Sequence, residues 1–80
     1  MKNETIAKTL EIMVVEDEAV VATDLESLLL CAGYRVSGVV DNGADAMALA
    51  VRVRPDLAFV DIRLRGAMDG IELARRLRVV

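Results

Sequence analysis

The chain of 80 residues contains no histidine and a single cysteine. Without histidine the usual transition-metal ligand is missing, so a zinc site, a haem site and a cysteine–histidine nucleophile are excluded. One cysteine cannot close an internal disulfide. Positive charge is also scarce, since 10 Lys and Arg face 13 Asp and Glu for a net charge of -3. That balance argues against direct nucleic-acid binding and against an anionic membrane surface, both of which need a strong positive field. No apolar run reaches the roughly 18 residues of a membrane span, because Glu, Asp or Arg interrupts each one. The N-terminal MKNETIAKTL has neither the apolar core nor the cleavage site of an export signal. A cytoplasmic location is the resulting expectation.

What is present is apolar. Hydrophobic residues make up 55% of the chain, and a mean hydropathy of +0.43 belongs to folded proteins rather than disordered tails. The length allows one domain, burying only about 60 to 65% of its unfolded surface, with no staple in view. Residues 1–9 read as a polar leader and residues 10–80 as the domain.

Residues 12–15 are apolar at every position and are halted by Glu16, Asp17 and Glu18. This is the mark of a strand covered on both faces, as in a parallel sheet between helices. Residues 19–32 place Val21, Leu25, Leu28, Leu29 and Ala32 on one helical face, and Gly33 supplies the left-handed residue that ends it. A β-branched strand follows at 36–40. Asn42 caps a second helix with Ala46, Leu49, Ala50 and Val53 on its face, and Pro55 closes it. Residues 57–62 form a third apolar strand with Phe59 as a core anchor. After a loop at 63–68, Asp69 and Glu72 have capping-box spacing, and Ile71, Leu73, Ala74 and Leu77 face a third helix inward. The order βαβαβα, with short connections, predicts right-handed crossovers and half of a doubly wound parallel sheet.

In open α/β sheets, ligands sit beyond the carboxyl ends of the strands. Glu16 and Asp17 follow strand one and Asp61 lies at the end of strand three; if those strands are neighbours, about 4.8 Å separates their backbones. Three converging carboxylates repel one another and raise at least one pKa unless a hard divalent cation, Mg²⁺ being the usual choice, neutralises them. Mg²⁺ in turn favours phosphate. Simple capping by Asp17 and Asp61 is the plainer alternative for each residue alone. A phosphatase using Asp61 as nucleophile would need an acid two positions on, where Arg63 stands.

IMVVEDE, LAFVDI and GAMDGIELARRLR resemble the receiver domain of two-component response regulators over residues 10–78. The resemblance implies a flavodoxin-like fold of strand order 2-1-3-4-5, present here as βαβαβα with order 2-1-3. It implies that Asp61 is the phosphoacceptor, that Asp17 ligates Mg²⁺ directly, that Glu16 acts through a bound water, and that the Arg63 backbone carbonyl completes the protein ligands. It also implies a sensor histidine kinase or phosphotransfer protein as donor, because this chain has no histidine of its own, and a phosphoacceptor role without turnover of an independent substrate. The Thr or Ser and the Lys that the family carries on strands four and five have no counterpart in these 80 residues. The alternative function is accordingly an interaction or dimerisation piece, pairing through the exposed edge of strand three.

Arg63, Arg65, Arg75, Arg76 and Arg78 read as solvated cations favourably placed near a helix C-terminus. Cys31 reads as packed or inert. Met13, Met47 and Met68 read as fillers of packing gaps.

Overall fold

The computed structural model describes residues 9–64, 66 and 68–78. The expected leader lies outside these residues except for Thr9, as does Arg65. The elements run β1 (Glu11–Val15), α1 (Ala19–Cys31), β2 (Arg35–Val40), α2 (Gly43–Val53), β3 (Leu57–Val60) and α3 (Gly70–Leu77). The strands form one sheet of order β2-β1-β3, both pairings parallel. This is the expected flavodoxin-like arrangement through three βα units. No helix among the described residues is long and apolar enough to cross a membrane.

Central β1 is covered on both faces: Ile12, Met13, Val14 and Val15 are at most 2% exposed. Each such side chain contributes about 1.5 to 3 kcal/mol by leaving water. Alternation divides them. Met13 and Val15 join Ala46, Leu49, Ala50, Leu64 and Leu73 under α2 and α3, while Ile12 and Val14 meet Leu29, with Leu25 and Val36 packed alongside, under α1.

Local chemistry ends the helices where expected. At the close of α1 the amide of Tyr34 donates to Leu29 and that of Gly33 to Leu30, the Schellman pattern, with Gly33 at φ 93°. The Asn42 side chain accepts the Asp45 amide at 2.9 Å, and Asp69 accepts that of Glu72 at 2.9 Å. Arg54, held out of the right-handed helical region by Pro55, takes a left-handed conformation and ends α2. Glu72 then pairs with Arg75 and Arg76, so these arginines do form a solvated helix face.

Several expectations of packing are corrected. β3 stops at Val60, and Ile62 is exposed in a turn. Phe59 is not a core anchor but 41% exposed, and Leu57 beside it is also open. Both project to the face occupied by α1, which contacts β1 and β2 but not β3. On α1 the buried residues are Ala22 and Leu29, while Val21 and Leu28 are exposed. That helix is apolar around much of its circumference, so periodicity does not choose the packed face; Ile12, Val14 and Val36 do. Val53, Ile71 and Ala74 are exposed rather than inward, and Cys31 is exposed rather than packed. Leu64, assigned only to a loop, is buried at 4%. Met13, Met47 and Met68 do pack in or against the α2 and α3 core.

Candidate functional site

Two backbone hydrogen bonds set the carboxyl end of the sheet. The Glu16 amide donates to the Val40 carbonyl and the Asp61 amide to the Val15 carbonyl, each at 3.0 Å. Both strand ends are thereby held to β1, and the residues that follow must leave the sheet at the same level. Glu16, Asp17 and Asp61 do so together, each offering a carboxylate oxygen within 4.8 Å of the others. The neighbourhood of strands one and three, on which this convergence depended, is that of β1 and β3.

Each carboxylate is oriented by the chain around it. Glu16 accepts the amide of Glu18 at 3.1 Å, and Asp61 Oδ1 accepts the amide of Arg63 at 2.9 Å. Asp17 has one oxygen shielded from solvent. The N-cap of α1 is Glu18, which makes no side-chain cap, so capping does not account for an acidic pair here. Asp61 does satisfy a loop amide, as the plainer alternative has it, and converges with the other two as well.

The charges of the cluster act on one another. The Glu18 amide favours ionised Glu16, but desolvation, the charge of Asp61, a hydrogen bond shared with it and the charge of Asp17 act the other way. Together they prevail and hold the Glu16 carboxyl above its ordinary value. A hard cation with oxygen ligands would remove that conflict. Three oxygen donors of one sign, with no nitrogen or sulfur among them, form the donor set that suits Mg²⁺ rather than a softer metal.

Arg63 is placed beside the cluster, lining with Asp17, Glu18 and Asp61 a shallow cavity of about 250 Å³. A second cavity of about 410 Å³ adds Asp41 and Asp45 to Glu16 and Asp17. These two acids extend the negative surface and are not among the candidate site residues read from the sequence. For Asp41 a signal was available, since it follows β2 as Glu16 follows β1.

The family model for the response regulator receiver domain matches residues 12–80. Among curated relatives, a protein-glutamate methylesterase/protein-glutamine glutaminase of Hahella chejuensis is 34% identical over 68 residues, 85% of this chain and 19% of that protein. Among solved structures, the signal receiver domain of a modulated diguanylate cyclase from Desulfovibrio desulfuricans superposes with a TM-score of 0.84 at 46% identity, covering 88% of this chain and 56% of that one. The receiver domain of a sensor histidine kinase from Pseudomonas aeruginosa, with a magnesium ion coordinated in its active site cleft, gives 0.78 at 38% identity, covering 90% and 57%. The chain spans 19% to 32% of the first curated relatives.

Proposed function

The chain belongs to the response regulator receiver domain family, and from that premise we propose that it is a Mg²⁺-dependent phosphoacceptor, taking a phosphoryl group onto Asp61 from a sensor histidine kinase or phosphotransfer protein in the cytoplasm. The observation that carries this reading is the convergence of Glu16, Asp17 and Asp61 within 4.8 Å at the carboxyl end of a parallel sheet.

Asp61 and Asp17 would hold the ion directly, Glu16 through a water, and the Arg63 carbonyl would complete the set. Bound there, Mg²⁺ supplies neutralisation of charge on the phosphoryl oxygens. The residues of the chain do the rest. The Arg63 amide fixes Asp61 Oδ1, which turns the carboxylate as a unit and presents it to the donor. A carboxylate oxygen of Asp61 attacks phosphorus in line. The new O–P bond forms as the P–N bond to the donor imidazole breaks, and the departing nitrogen takes up a proton. Asp17 and Glu16, negative themselves, would repel the phosphoryl group without the cation, which makes the step metal-dependent. The chain is consumed as acceptor and turns over no independent substrate.

Acetyl phosphate with Mg²⁺ is expected to add one phosphoryl mass to the chain, and Asp61→Asn to remove the labelling with the fold intact. Labelling that survives this substitution sinks the assignment of the acceptor.

A second reading is supported by the open face of β3. Leu57 and Phe59 are 48% and 41% exposed, and an uncovered apolar strand edge favours association. On this reading two copies pair through β3. Sedimentation would then show a concentration-dependent dimer that Phe59→Ser weakens, and a monomer at all concentrations would dismiss it.

A further inference from the structure

Gly70 opens α3 directly against the segment that carries Asp61. A Cβ at position 70 would overlap the Asp61 carbonyl oxygen and lie 2.6 Å from Ile62 Cα and 2.7 Å from the Asp61 carbonyl carbon. All three are backbone atoms, so no rotamer change makes room. Gly70 has no left-handed backbone of the kind Gly33 and Gly66 show. The demand for glycine is one of space.

The oxygen that Gly70 faces also does structural work. It accepts the Leu64 amide at 3.2 Å, closing the turn from which the Arg63 amide reaches Asp61 Oδ1. Leu64 anchors that turn in the core beside Leu73 of α3. The start of α3 is located from its other side by Met68, since a Cβ on Gly43 would stand 3.1 Å from both Met68 Cβ and Sδ.

We propose that the start of α3, seated between the Asp61–Ile62 backbone and Gly43, positions the Asp61 carboxylate, with Gly70 as the positioning residue. Leaving the Asp61 carbonyl uncovered lets the turn close, and the closed turn aims the carboxylate at Glu16 and Asp17. The inference rests on the reading that these three side chains hold Mg²⁺.

The test is Mg²⁺ titration calorimetry of the 80-residue chain with thermal unfolding of each variant. Gly70→Ala is expected to weaken Mg²⁺ by about tenfold or more while still folded, the size of effect seen when groups that orient metal ligands are disturbed. Gly38→Ala is the control. Its Cβ would meet the Leu49 side chain, costing stability away from the carboxylates, and the wild-type affinity should persist. A folded Gly70→Ala with unchanged affinity overturns the proposal, as does equal weakening in Gly38→Ala. Where Gly70→Ala does not fold, Gly43→Ala replaces it, because Met68 needs to give by only a few tenths of an ångström. Weakened binding then supports the proposal and unchanged binding overturns it. Wild-type protein that binds no Mg²⁺ is a distinct result, removing the metal-site reading and this inference with it.

Discussion

The two faces of the sheet use the same kinds of residue and reach different states. Beneath α2 and α3, Met13, Val15, Ala46, Leu49, Ala50, Leu64 and Leu73 form one buried cluster that also takes in Ala58 and Val60 of β3. Beneath α1 the buried cluster is Ile12, Val14 and Leu29, with Val36 of β2 packed against it, and it takes in no residue of β3. Leu57 and Phe59 extend the second face in register with Ile12 and Val14 and remain exposed. An apolar strand thus records a need for cover, while the cover itself depends on which helix lies above. β1, which leads into Glu16 and Asp17, is held on both faces, whereas β3, which leads into Asp61, is held on one. The candidate site joins a firmly packed strand to a half-packed one.

Truncations on the two faces should expose this difference most strongly. Leu73 is fully buried, and Leu73→Ala is expected to cost about 2 to 5 kcal/mol. A domain of this size has roughly 4 to 12 kcal/mol in total, so the loss is a large share. Phe59→Ala, on the open face, should cost about 1 kcal/mol, because much of the ring already meets water. Urea unfolding followed by circular dichroism measures both. Equal losses would mean that Phe59 is covered in solution and would abolish the contrast between the faces.

The sequence made the strands, the caps and the carboxylates legible and left the packed sides of the helices open, for a physical reason. The order of the strands, the caps at Asn42 and Asp69 and the stop at Gly33 depend on residues close in the chain, and they stand where local chemistry put them. The three carboxylates were legible because each follows an unbroken apolar run, which leaves the strand end as the nearest place for a charge. The packed side of α1 was not, since Val21 and Leu28 are as apolar as Leu25 and Leu29 and only the sheet below distinguishes them. The exposure of Phe59 and the burial of Leu64 likewise depend on elements distant in sequence. Asp69-Gly70 was readable as a helix start, but the closeness of Gly70 to the Asp61 carbonyl was not.

The smallest expected effect bears on how the packed and half-packed strands share their charges. The folded-state pKa of Glu16 is raised, through desolvation, Asp61 and Asp17, against the opposing Glu18 amide. A carboxyl so raised binds its proton more tightly folded than unfolded, so its contribution to stability is complete below the ordinary glutamate pKa and is lost as pH rises through the raised one. In metal-free buffer, the difference in melting temperature between wild type and Glu16→Gln should therefore move against the wild type as pH climbs through that window. The shift should be smaller than that of Phe59→Ala, because solvent near the surface screens these charges. Adding Mg²⁺ at the upper pH should reverse it, since the cation relieves the repulsion that ionisation creates. A difference independent of pH would mean that β3, free on one face, yields enough for Asp61 to move away from Glu16 as Glu16 ionises. The half-packed strand would then absorb the repulsion that the packed one cannot.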